Sequence, residues 1–101
     1  MSDEIIQNNS QKYDDNGEHN SLIKLSDTRL VLAYTGADGD GFIRTGDINA
    51  NGTITEKNTI EHDTTYAQFN SLIKLSDTRI VLAYKGPDND SFIKTFDIDA
   101  N

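Results

Sequence analysis

Asn20-Ser-Leu-Ile-Lys-Leu-Ser-Asp-Thr-Arg-Leu-Val-Leu-Ala-Tyr34 returns at Asn70 to Tyr84 with one change, Leu30 to Ile80. Identity continues at Gly36, Asp38, Asp40, Phe42, Ile43, Thr45, Asp47, Ile48, Ala50 and Asn51, each with the same residue fifty positions later. Upstream, a shift of 49 lays Ile5 on Ile54, Asn9 on Asn58, Tyr13 on His62 and Asp14 on Asp63. The one-residue difference falls between Asp14 and His19, a length change that suits a surface loop. One unit is written twice, and a period of this length signals a repeat architecture.

Within the unit, Ser21-Leu-Ile-Lys-Leu-Ser26 alternates in the manner of a strand, and Ser26-Asp27 supplies a turn. Arg29-Leu-Val-Leu-Ala-Tyr34 is continuously apolar between turn signals, the pattern of a central strand covered on both faces. Thr35 to Gly41 is a Gly and Asp loop, and Phe42 to Ile48 is a third strand. Asn51-Gly52 predicts a type I′ hairpin, which needs positive φ at both residues, leading into a fourth strand from Thr53 to Ile60. No segment sustains an apolar pattern at helical spacing.

Four short strands joined by hairpin turns and repeated at about 40 to 50 residues describe a β-propeller blade. The Ser-Leu-Ile-Lys-Leu…Val-Leu-Ala-Tyr-x-Gly pattern resembles the propeller blades of bacterial lectin-like and sialidase-type repeats, over nearly the whole chain. The resemblance implies an all-β fold with two four-stranded antiparallel blades per chain. The Ser-x-Asp-x-Gly-x-x-Trp box of the sialidase group has no counterpart, and the chain has no tryptophan, so glycosidase activity is not expected.

The phase of the repeat predicts an assembly. The chain begins with an outer strand (residues 1–15), gives one whole blade (16–62), and ends with a second blade (63–101) that lacks its outer strand. Residues 4–13 are therefore expected to pair with residues 92–99 of a neighbouring chain and complete its second blade, with Ile5, Ile6, Tyr13, Phe92 and Ile93 as assembly residues. Two blades cannot bend into a ring, so a cyclic homo-oligomer of six or eight blades, a trimer or a tetramer, is expected, with a dimer the weakest choice.

Composition narrows the partners. A formal charge of −8 speaks against nucleic acid and anionic membranes, which require clustered Lys and Arg. Without cysteine there is no disulfide framework and no thiolate site. No apolar run reaches membrane-span length, and Met1-Ser-Asp-Glu lacks the basic and apolar regions of a signal peptide, so the chain reads as soluble and its compartment stays open.

His19 aligns with Phe69 and His62 with Tyr13, so both histidines read as aromatic-sized positions rather than catalytic ones. No serine has the setting of an activated nucleophile, and no enzyme, cofactor or metal site is expected. Asp47-Ile-Asn-Ala-Asn-Gly-Thr-Ile54 fits the first eight positions of a calcium loop, but Asn58 stands where the bidentate glutamate belongs; a hairpin is the better reading. Strand alternation puts the loops of Asp38, Asp40, Asp88 and Asp90 on one rim with Tyr66 and Phe69. Short carboxylates beside aromatics are what a polar ligand such as a carbohydrate requires. The same aspartates are also ordinary turn formers. Two functions are therefore expected: a multivalent, lectin-like binding module, or alternatively a structural or engineered self-assembling scaffold without a ligand.

Overall fold

The apolar run of each repeat forms the middle strand of its own antiparallel sheet. The computed structural model describes residues 4–99. Its first sheet contains β1 (Glu18–Lys24), β2 (Arg29–Thr35), β3 (Gly41–Ile48) and β4 (Ile54–Asp63), ordered as they occur in the chain. The second contains β5 (Gln68–Ser76), β6 (Arg79–Lys85) and β7 (Ser91–Asp97), again in chain order. The protein is all-β, with a four-stranded and a three-stranded antiparallel sheet. Residues 4–13, expected as an outer strand, join neither sheet. Residues 1–3 and 100–101, the outer ends of the expected first and last segments, lie outside the described residues.

Pleat alternation gives each sheet two faces with different residues. Leu25, Val31, Ala33 and Ile43 from the first sheet meet Leu72, Ile80, Leu82 and Tyr84 from the second, and Ala67 closes the cluster. Side chains from opposite faces of the same repeat thus form the core: the second sheet lays one face on the other face of the first. Val31, Ala33, Ile80 and Leu82 are wholly buried. Each buried branched side chain stabilises the stack by about 1.5–3 kcal/mol relative to exposure.

Polar bonds set the offset between the sheets. The Leu72 backbone N–H donates to Ser21 Oγ at 3.0 Å, and Asn70 Nδ2 donates to the His19 carbonyl at 3.0 Å. Along the sheets, the Arg29 guanidinium grips Asp47 directly opposite it, and Arg79 grips Asp97 in the same way, at 2.9 and 2.7 Å.

The β3 to β4 hairpin differs from the expected type I′ turn. The Gly52 N–H donates to the Asn49 carbonyl at 2.8 Å and the Asn49 N–H to the Thr53 carbonyl at 2.9 Å. Gly52 has φ of +90° while Asn51 keeps a negative φ. These bonds and angles match a three-residue loop that ends in a left-handed glycine, the G1-bulge alternative. Asn51 instead uses its side chain, accepting the Thr53 N–H at 3.0 Å. The fourth strand also runs past Ile60 to Asp63, pairing Gly41 with Asp63.

Replacing Leu82 by Ala should lower stability by about 2–5 kcal/mol, because the cavity opens between two sheets whose strands limit relaxation. Equilibrium urea unfolding would measure it.

Candidate functional site

The end of the sheets where β2 turns into β3 gathers the residues singled out as a ligand rim. Asp38 and Asp88 have φ of 60° and 59°, and each loop is closed by paired backbone bonds, Gly36 N–H to the Asp40 carbonyl and Gly86 N–H to the Asp90 carbonyl. Asp tolerates the left-handed region better than most residues, so the sequence places it there for the turn. The first loop meets the β4 to β5 connection: Ala67 N–H donates to the Gly39 carbonyl at 2.8 Å, and the Tyr66 ring lies against Gly39. Asp38, Asp40 and Tyr66 are thereby brought together. Asp88 and Asp90 form the same loop on the second sheet, at the position Tyr66 covers in the first.

Phe69 sits at a different point of this end, paired with His19 at 4.5 Å between ring centroids and with Lys85 above its ring. Its side chain is 61% exposed. Phe69 and His19 both have positive φ, 53° and 49°, at matching register shifts in β5 and β1. Those shifts are bulges, which re-aim one side chain out of the sheet. The alignment of His19 with Phe69 therefore pairs two aromatics that also touch in space.

Asp40 and Glu61 form a carboxyl pair beside the first loop. The Asp40 carboxylate, through a hydrogen bond and its charge, pushes the Glu61 acid above its ordinary range, with partial desolvation adding to this. Asp63 serves the fold instead, accepting the Thr65 and Tyr66 N–H groups and the Tyr84 hydroxyl at 2.9, 3.1 and 2.8 Å. Burial opposes its ionisation, yet these donors outweigh it and lower the Asp63 carboxyl. Burial and then Asp63 raise the Tyr84 phenol.

His62 is packed edge-on against Tyr84 at 5.0 Å and Phe96 at 5.9 Å, with Lys94 donating to its backbone carbonyl at 2.7 Å. Burial, aided by the Lys94 charge, pushes the imidazole down to about 4, and its Nε2 has no hydrogen-bond partner. Tyr13 occupies the matching place on the first sheet, edge-on to Tyr34 at 4.7 Å with the Arg44 guanidinium above its ring. Both aromatics seal a buried tyrosine, as the alignment of His62 with Tyr13 implies. Among the assembly residues named from the sequence, Ile5 and Ile6 are exposed in the unpaired segment, and Phe92 and Ile93 lie on β7, Phe92 stacked on Tyr84 at 5.6 Å.

Among the described residues no cluster of His, Cys, Asp or Glu is arranged to hold a metal ion. In the calcium-like stretch Asp47 is committed to Arg29 and also lies 3.8 Å from Lys57. A cation would have to displace both charges.

Two outcomes follow from these contacts. Adding a strong chelator should leave the melting temperature unchanged, since Asp47 already has its cationic partners. The folded protein favours neutral His62, so stability is complete above the unfolded pKa near 6.5 and falls as pH drops from there towards 4. Allowing for partial exposure and solvent screening, the loss is on the order of 1–2 kcal/mol. Urea midpoints measured across that range should show the slope in the unsubstituted chain and lose it in His62→Phe.

No family model, no curated protein and no solved structure matches the chain.

Proposed function

We propose that the chain is a non-enzymatic, self-assembling β-propeller unit whose ring presents polar-ligand sites, of the kind that take carbohydrate, on its loop rim. One observation carries the assembly reading. The second sheet repeats the strand order and register of the first three strands of the first sheet, while residues 4–13 pair with neither sheet and run through Tyr13 to Asp14.

Those two residues meet Tyr34 and the first sheet as His62 and Asp63 meet Tyr84 and the second. His62 and Asp63 end an outer strand that belongs to the preceding sheet. By the same logic residues 4–13 are the outer strand of a preceding sheet, and β7 is the edge that needs one. Carrying the β3 to β4 register across the repeat sets Lys12 opposite Phe92, Gln11 opposite Ile93 and Ser10 opposite Lys94. An unpaired β7 would otherwise expose a row of backbone donors and acceptors. Closure of such head-to-tail contacts gives a ring of three or four chains.

The binding reading draws on the rim: an exposed Phe69 for stacking against a sugar face, the Asp40 and Glu61 carboxyls for hydroxyl groups, and the Tyr66 ring beside Gly39. Repetition around a ring would multiply weak contacts into avidity. A ligand-free scaffold is the second reading, favoured by Asp38 and Asp88 serving their own turns.

Native mass spectrometry should report three or four chains, and a glycan array probed with that species should report binding. Phe69→Ala and Tyr66→Ala should cut the array signal by about tenfold, the scale of one lost stacking contact, without altering the mass. An intact ring that binds nothing on the array favours the scaffold, and a chain that is monomeric throughout overturns the ring.

A further inference from the structure

We infer that the outward face of the second sheet is a docking surface for the outward face of the first sheet in a second copy of the chain, in the offset the two sheets already use within one chain. This rests on the self-assembling reading and adds to it the surface, its partner and the contacts, which are separate from the strand pairing at β7.

The residues make the case by position. Leu25 and Ile43, on the inward face of the first sheet, are 2% and 3% exposed. Their repeats on the second sheet, Leu75 and Ile93, are 61% and 76% exposed. The partner face shows the converse: Leu72 is 5% exposed in the stack, whereas its repeat Leu22, on the outward face of the first sheet, is 61% exposed. The chain therefore displays one half of its own internal junction on each flank. The halves differ, so two copies join head to tail.

The polar bonds that set the internal offset have their repeats in place. Leu72 N–H to Ser21 Oγ becomes Leu22 N–H to Ser71 Oγ of the other copy, and Asn70 to the His19 carbonyl becomes Asn20 to the Phe69 carbonyl. Ala67 N–H to the Gly39 carbonyl becomes Gly17 N–H to the Asn89 carbonyl.

One difference between the repeats compensates across the junction, whereas the Thr35 hydroxyl, which donates to the Ala67 carbonyl and accepts from Asn70 inside the chain, has Lys85 as its repeat and is not replaced. Inside the chain Gly41 must lack a Cβ, because one would stand 2.6 Å from the Cβ of Ala67 and 2.6 Å from His62 Nε2. At the corresponding place on the second sheet the chain has Ser91, which carries that Cβ, and the residue it would meet is Gly17, which has none. A small and a large residue have exchanged sides, as a packed contact between copies requires, and Gly17 also makes room for its own Tyr13, whose hydroxyl would stand 2.8 Å from a Cβ there. Gly46 stands where Phe96 fills the outer part of the internal junction, so the contact between copies is thinner there and is the weaker of the two.

Two substitutions separate the faces: Leu75→Asp spoils only the outward face of the second sheet, and Leu22→Asp only that of the first. Both side chains are exposed in the single chain, so circular dichroism should be unchanged. Sedimentation velocity should show each variant alone associating at least about tenfold more weakly than the unsubstituted chain, because a carboxylate would have to be buried. An equimolar mixture should form a two-chain species and stop, since one intact junction remains between the two variants. As a second readout, Leu22→Cys mixed with Ser71→Cys should give a disulfide-linked pair, with Ser21→Cys/Leu72→Cys in one chain as the reference for the geometry. An oligomer of undiminished size in either variant, or no linked pair while the reference closes, overturns this docking surface and leaves self-assembly standing. An unsubstituted chain that is monomeric at every concentration overturns both.

Discussion

A sheet whose middle strand is apolar on both sides has two faces to cover, and everything else in this protein follows from meeting that requirement by stacking unlike faces. β2 reads Leu-Val-Leu-Ala-Tyr, so Val31 and Ala33 point one way and Leu30, Leu32 and Tyr34 the other. Stacking the second sheet buries Val31 and Ala33 against Ile80 and Leu82. The remaining face of the first sheet is covered in part by the N-terminal segment, Tyr13 lying over Tyr34 at one end and Asn9 accepting the Ile54 N–H beside the β3 to β4 hairpin at the other. Hydrophobic burial scales with area, so a two-sheet stack of this kind leaves much of its apolar surface uncovered.

The rim illustrates how fold and site compete for the same residues. Asp38 and Asp88 accept positive φ for the turn, and Asp63 commits its carboxylate to two backbone N–H groups and a phenol. What remains available to a ligand is a smaller set, Asp40 with Glu61, Tyr66, and Phe69 stacked on His19. The bulges at His19 and Phe69 are where the backbone leaves the regular ladder to aim an aromatic outwards. Repeated strain at equivalent positions has a repeated cause in the architecture, and the exposed ring is its product.

Much of the fold is legible in the sequence because period-2 alternation and turn chemistry are local properties. The strands of the repeat lie within a few residues of their expected limits, and the alignment of His62 with Tyr13 matches their parallel roles. Three things are not legible. The Asn51-Gly52 dipeptide implies two positive φ values and the turn has one, since the extra residue of a G1 bulge depends on how β3 and β4 pair rather than on the dipeptide. The depressed His62 imidazole depends on Lys94, Tyr84 and Phe96, distant in sequence. The Asp40 and Glu61 pair joins a loop to the end of a strand whose expected limit is Ile60. Each is a tertiary property, and a single unaligned sequence carries no local signal for it.

The near-identity of β1 and β5, and of β2 and β6, carries a cost during folding. While the chain is still collapsing, β6 can pair with β1 almost as favourably as with β5, and the two outcomes differ in which connections must stretch. Internal repeats of this closeness are prone to such kinetic traps. Discrimination falls to the few positions where the copies diverge. Phe96 belongs in the gap between the sheets, beside His62, whereas Gly46 belongs on an open face. A mispaired chain would expose the phenylalanine and leave a hole where it should sit, so this one pair of unlike residues acts as an editor of strand order in a sequence that otherwise offers little to tell its halves apart.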